Sequence, residues 1–351
     1  MSSKKWIYLS ISIPALLLFI IGIFNFIIDP LQQYRKAGFY NVFFRDERHL
    51  NPGLAKNWTY NSISTGSSVT ENFLISDLAN IIKNPIKLPM SGATAKEINL
   101  ILNLALSENQ NIGDVLISLD IFSMSGNEHR TTIPPPLYLY KSNFLNSAKY
   151  LLSLDTARTS FKFLRENQKN KNNPKLQYET MYQWQHEKED DFSKKKAVEH
   201  WRKDSNQKLK KFELTNGSYK LEILKKSFNS NYLSLFEHYS NVNFVLFYPP
   251  YSVLEFKDWL DYEVIEDILE LKRYISQKTS RYQNVKIYDF QNNPALTTHL
   301  DNYSDAIHYH QKINTLIIEE IKKDNYLIDT ENYETDLKNF IKYVEEFKIE
   351  R

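Results

Sequence analysis

The 351-residue chain contains no cysteine. That excludes a disulfide framework, a cysteine nucleophile and thiolate metal sites, while leaving the compartment open. Glycine is scarce, at 8 residues, and none falls in a glycine-rich phosphate loop. Neither charge is in excess: 44 Lys and Arg face 42 Asp and Glu, a formal net charge of +2. Such a balance gives no support to a nucleic-acid partner. The His, Asp and Glu residues show no metal-ligand spacing, so neither a metal nor another cofactor is expected. What is plentiful is apolar and aromatic matter. A 42% hydrophobic share with 21 Phe and 23 Tyr can build the core of one large domain or two ordinary ones.

The first thirty residues hold one long uncharged run, Trp6 to Ile28. At about 1.5 Å per residue it is long enough to cross a bilayer. Asp29-Pro30 ends it, because the residue before a proline is biased away from the helical region. Lys4 and Lys5 precede the run as they would in a signal peptide, but the run is longer than a usual signal core and no small-residue cleavage site follows. Residues 1–30 are therefore expected to be an uncleaved single-pass anchor that contacts the lipid bilayer through residues 6–28. The basic N-terminus favours a cytoplasmic start, which exports the rest of the chain. Arg35, Lys36, Arg45 and Arg48 on the other side weigh against that orientation.

From Tyr60 onward short apolar runs alternate with amphipathic segments. Strands are predicted at Tyr60–Ser64, Ile86–Met90, Val115–Asp120, Asn243–Tyr248 and Val285–Phe290. Helices are predicted over Glu71–Ile82, Ala95–Glu108, Tyr219–His238, Glu263–Ser280 and Gln311–Lys323. That rhythm implies an α/β fold, a three-layer α/β/α sandwich on a mostly parallel sheet of about five strands. Residues 31–326 would form this domain. A mostly helical insertion at about 123–237 carries Trp184, His186, His200 and Trp201. Its aromatic residues read as cap packing, with stacking on sugars the alternative, and its Asp, Glu and His as a solvated surface. Residues 327–351 read as a charged helix docked through Leu337, Phe340, Ile341, Val344 and Phe347.

In parallel α/β sheets the working crevice lies beyond the carboxyl ends of the strands. Ser67-Ser68, Ser91-Gly92 and Asp120 all fall there. A serine at a strand-to-helix turn sits near backbone N–H groups that favour developing negative charge. It needs a base, and Asp305-Ala306-Ile307-His308 near the far end can supply an imidazole with a carboxylate to orient it. The competing reading makes Asp305 a helix N-cap, and His310 and Asp301 are rivals for base and orienter.

Gly66-Ser67-Ser68 resembles the first block of the SGNH (GDSL-like) hydrolases, and Asp305-Ala306-Ile307-His308 resembles their closing block. The resemblance spans roughly residues 60–122 and 241–322. It implies Ser68 as nucleophile, His308 as base and Asp305 as orienter, with the N–H groups of Ser68 and Gly92 in the oxyanion hole. It also implies an asparagine donor in the third block, where this chain has Asp120. An ionised aspartate cannot donate, so Asn72 or another backbone N–H is expected to substitute, or Asp120 to be structural. Gly66 to Phe73 and Phe247-Tyr248-Pro249-Pro250-Tyr251 look similar to membrane-anchored bacterial members associated with cell-surface polysaccharides. By that resemblance the chain would be a serine esterase or O-acyltransferase of an envelope polysaccharide, with a membrane acyl-donor protein as a further partner. A non-catalytic envelope protein that keeps the fold and binds polysaccharide or an assembly partner is the alternative.

Overall fold

The apolar runs assemble into one all-parallel sheet. Its strands are β1 (Ser62–Thr65), β2 (Pro85–Lys87), β3 (Asp114–Ser118), β4 (Asn243–Tyr248) and β5 (Val285–Asp289), in the spatial order β2-β1-β3-β4-β5. The computed structural model describes residues 3–141, 143–169, 174–185 and 191–349. Register is continuous across the sheet: Ser64 pairs with Lys87 and Leu116, and Leu246 with Ile117 and Ile287. Val115, Leu116, Ile117 and Leu246 are wholly buried, which is why these strands read as unbroken apolar runs rather than alternating ones. Right-handed crossovers place the β1–β2 connection and the later connections on opposite faces. The strand order reverses between β1 and β3, and ligands bind at such a switch point.

The chain divides into two units. One comprises Met1–Thr59, Leu104–Asn109 and Pro134–Tyr178; the other comprises Tyr60–Asn103, Gln110–Ile133 and Glu179–Arg351 and contains the whole sheet. In the first unit the long apolar helix α1 (Ser3–Ile28) is followed by the helix Glu47–Asn57 and by two amphipathic helices, α2 (Phe144–Leu151) and α3 (Leu154–Lys169). Here α1 is long and apolar enough to cross a membrane.

In the second unit, the helices Ile265–Thr279 and Gln311–Lys322 follow the predicted 3.6-residue pattern, burying Ile268, Leu271 and Ile275 on one and Ile313, Ile317 and Ile321 on the other. The terminal helix Tyr333–Glu346 buries Leu337, Phe340 and Val344, whereas Ile341 and Phe347, expected on the same docking face, are only half-buried. Phe340 packs edge-on to Phe256 at 4.8 Å.

Several predicted boundaries change. The helix expected over Glu71–Ile82 shrinks to Ile75–Leu78 behind a 3-10 turn at Ser68–Thr70. Lys87 is responsible: its wholly buried ammonium donates to the carbonyls of Glu71 and Phe73, both at 2.6 Å, and fixes them in a non-helical course. The segment Tyr219–His238 is broken by a π-helical turn at Asn229–Leu233. A helix at Val253–Asp261 was not anticipated, because Pro249-Pro250 masks its start.

Candidate active site

Gly66 makes the turn after β1 possible. Its φ of +152° and its closeness to Ser118, whose Oγ would lie 2.1 Å from an added Cβ, admit no side chain. The Gly66 carbonyl accepts the N–H of Met90 at 3.0 Å, so β1 and β2 are still neighbours at this level. Ser68 and Gly92 each lie two residues further on. Gly92 has φ +59°, a left-handed conformation that glycine adopts without strain. Among the described residues the backbone N–H of Ser68 and that of Gly92 have no protein acceptor.

The second half comes from a small hairpin after β5. Tyr303 and Tyr309 form an antiparallel bridge, and the N–H of Ser304 donates to the carbonyl of His308 at 3.0 Å. Asp305 pins the loop from within: its Oδ1 accepts the N–H groups of Ile307 and His308 at 2.8 and 2.7 Å. Segment 249–252 after β4 holds it from outside. The Tyr303 hydroxyl donates to the Pro250 carbonyl at 2.8 Å, and the Ser252 hydroxyl donates to the Ala306 carbonyl at 2.9 Å. Asn314, fully buried, ties the following helix to the Ser68 turn by donating to the Val69 carbonyl at 2.9 Å.

These constraints align three side chains. Ser68 Oγ lies 2.9 Å from His308 Nε2, and His308 Nδ1 lies 2.7 Å from Asp305 Oδ2. With Nδ1–H donated to the carboxylate, Nε2 is left to accept the serine proton. Burial raises the Asp305 pKa, but the His308 charge, its hydrogen bond and the two backbone N–H bonds outweigh that and hold it well below the usual carboxylate range. Asp305 is thus ionised wherever the protein is folded at ordinary pH. It caps its own loop instead of the following helix, whose N-cap is His310.

His310 accepts the Lys312 N–H at 3.1 Å and faces Gln185 at 3.2 Å, while Asp301 accepts the N–H of Lys194 at 2.9 Å. Among the described residues neither competitor bonds to Ser68. Ser67 is buried, and its proximity to the Asp120 carboxyl works to lower that group's pKa.

Asp120 also accepts from the Ser118 and Tyr251 hydroxyls, each at 2.5 Å. Burial lifts its pKa above the usual carboxylate range, partly offset by the Ser118, Tyr251 and Ser67 bonds. The carboxylate thus ties the end of β3 to the segment after β4. Asn72 uses Oδ1 to accept the N–H groups of Trp184 and Gln185, both at 3.3 Å; its amide nitrogen has no protein acceptor among the described residues.

Trp184 was read from sequence as cap packing, yet it touches two of the three aligned residues. Its indole N–H donates to the Ser68 carbonyl at 3.1 Å, and its ring meets His308 edge-on at 5.4 Å. Only the aromatic composition of the segment hinted at this. His200 and Trp201 line a cleft of about 360 Å³ that borders the Asp305–His308 loop, together with Lys203 and Lys210. Ser68 is not among the lining residues of this cleft. Of these, Lys210 bonds Glu255 at 2.5 Å and Asp258 at 2.6 Å. His186 lies outside the described residues. Among the described residues no group of three or more His, Asp or Glu is arranged to hold a metal ion.

No family model matches the chain, and no curated protein matches it. Among solved structures, a Streptococcus pneumonia protein assigned provisionally as a platelet activating factor superposes with a TM-score of 0.39 at 10% identity, over 79% of this chain and 90% of that chain.

Proposed function

We propose that the chain is a serine esterase or O-acyltransferase of the SGNH type, working through an acyl-enzyme on Ser68. The observation that carries this reading is the unbroken line from Ser68 Oγ through His308 to Asp305, at 2.9 and 2.7 Å. Ser68 Oγ attacks an ester carbonyl carbon while His308 Nε2 takes its proton. The resulting oxyanion is met by the N–H groups of Ser68 and Gly92. Collapse breaks the ester C–O bond, and His308 returns the proton to the departing alkoxide. Water, or a second hydroxyl, then attacks the acyl-enzyme with His308 again as base.

The apolar helix α1 supports a substrate at the cell envelope, with the α/β unit on the periplasmic or outer side of a bacterial cytoplasmic membrane. An acylated envelope polysaccharide is the substrate we favour, with transfer to a carbohydrate hydroxyl if a membrane partner delivers the acyl group. Asp120 favours a second reading, since it accepts hydrogen bonds where a third oxyanion donor would be expected. In that reading the rim binds polysaccharide without turning it over.

A fluorophosphonate probe separates the two. Wild type should label, and Ser68→Ala and His308→Ala should not. Equal labelling of wild type and Ser68→Ala sinks the nucleophile. No labelling of any form, with polysaccharide still retained by Ser68→Ala, favours the binding protein.

A further inference from the structure

The end of α1 is built into the fold of its unit. Ser3 to Ile20 are exposed, whereas Asn25 and Ile28 are buried on one face of the last two turns. Asn25 Nδ2 donates to the carbonyls of Leu151 and Ser153 at 2.7 and 3.0 Å, and its Oδ1 accepts from the buried Ser160 hydroxyl at 3.4 Å. The next residue after the helix, Asp29, accepts the Tyr150 hydroxyl at 2.9 Å and the N–H groups of Gln33 and Tyr34, both at 2.8 Å. Removing the apolar segment as a signal peptide would strip these partners from α2 and α3.

The same contacts set a height. Leu152 lies against Gly22, where an added Cβ would approach it to 3.3 Å, and Phe161 packs on Phe24 with ring centroids 4.6 Å apart. Gly22 and Phe24 lie about 9 and 6 Å short of the helix end at about 1.5 Å per residue. A run from Trp6 to Ile28 is about 35 Å long on that rise, against a hydrocarbon layer of about 30 Å. The junction of α2 and α3 therefore falls at the edge of the apolar layer.

What those two helices turn outward fits that level. Phe144 is 83% exposed, Leu145 77%, Leu154 60% and Phe161 64%. On α3, Leu154, Arg158, Phe161 and Arg165 recur at i, i+4, i+7 and i+11, so one exposed stripe alternates apolar and guanidinium groups. Residues 141–169 carry six basic side chains (Lys141, Lys149, Arg158, Lys162, Arg165, Lys169) against Asp155 and Glu166. Apolar groups at the acyl boundary with long cations reaching headgroup phosphates is the arrangement of a helix lying in an interface. The apolar surface is also continuous with that of α1 through the Gly22 and Phe24 contacts.

We propose that α1 is retained as a membrane anchor and that α2 and α3 lie beside it in the headgroup layer of an anionic bilayer, with Phe144, Leu145, Leu154 and Phe161 inserted. This second attachment fixes the orientation of the unit on the membrane, which one helix leaves free to swivel. It is independent of the serine chemistry.

The lack of cysteine makes single-site labelling clean. Full-length Leu145→Cys, Leu154→Cys and Phe161→Cys are labelled with a nitroxide and reconstituted in vesicles containing phosphatidylglycerol. Leu16→Cys serves as the bilayer reference, and Lys338→Cys, whose side chain is 73% exposed, as the aqueous one. Labels at 145, 154 and 161 should collide several-fold more with oxygen than with a water-soluble nickel chelate, as at Leu16. Nickel-dominated collisions like those at Lys338 overturn the proposal. Exclusion of both agents with immobilised spectra overturns it in favour of a protein partner. A water-exposed label at Leu16 overturns it by removing the anchor itself.

Discussion

Trp184 donates its indole N–H to the carbonyl of Ser68 at 3.1 Å while presenting its ring edge to His308 at 5.4 Å. One side chain from the inserted segment thus holds the Ser68 backbone and abuts the His308 ring. Asn72 closes the arrangement by accepting the N–H groups of Trp184 and Gln185, so turn and segment hold each other. Trp184→Phe keeps a ring but loses the donor. A neutral hydrogen bond contributes about 1 kcal/mol net, so fluorophosphonate labelling of Ser68 should slow several-fold with stability lowered by a similar small amount. Trp184→Ala, which also frees His308, should slow it further. Unchanged labelling in both variants sinks the positioning role.

Asp120 can be tested as a brace between the end of β3 and the segment after β4. Its carboxylate accepts from Ser118 and Tyr251. If it braces, Asp120→Asn replaces one acceptor by a donor facing those groups and costs about 1–3 kcal/mol of stability. Labelling and ester turnover should fall with it. A variant that turns over esters faster than wild type, at unchanged stability, would mean that an oxyanion donor had been restored.

The sheet and its order of elements were legible because buried parallel strands leave uninterrupted apolar runs, as Val115-Leu116-Ile117 and Phe244 to Tyr248 do. Ser68, Asp305 and His308 could be singled out as candidates because small residues and turn formers at strand ends, and short blocks that resemble a known family, are visible one segment at a time. Their alignment was not, since it depends on contacts across distant segments such as Asn314 with Val69 and Ser252 with Ala306. Nor was the collapse of the Glu71–Ile82 helix. The local pattern there is helical, and it is overridden by a lysine on the neighbouring strand that reaches back to two carbonyls. Trp184 escaped for the same reason: an aromatic residue in a charged insertion looks like packing until its partner is known.

Asp305 carries a pH prediction with a definite sign. Its folded pKa lies below the unfolded value of about 3.9, so its contribution to stability is complete above that value and is lost as pH falls below it. Asp305→Asn should be less stable than wild type at pH 6, and the difference should shrink as pH falls towards 3 in denaturant unfolding. Activity should drop far more, by roughly 10⁴-fold, because the amide no longer holds His308 in the tautomer that leaves Nε2 free. A difference in stability that stays constant from pH 6 to 3 would show that the carboxylate is not held ionised by His308 and its loop.

Lys87 predicts the opposite limb. Burial pushes its ammonium down to about 7, despite opposing attraction from Glu71 and Glu179. The unfolded chain, with lysine near 10.4, therefore binds more protons than the folded one between those two values. Stability should rise with pH across that window, by up to about 1.4 kcal/mol per pH unit where the difference approaches one proton. The penalty of burying the charge is present in full below pH 7. Lys87→Met removes the titrating group, so the slope above pH 7 should flatten in urea unfolding curves taken from pH 6 to 9.5. It also removes both bonds to the Glu71 and Phe73 carbonyls, and those residues lie directly after the Ser68 turn. Labelling of Ser68 should consequently slow at every pH. If the wild-type slope persists in Lys87→Met, some other buried group carries it and Lys87 is charged in the folded protein throughout.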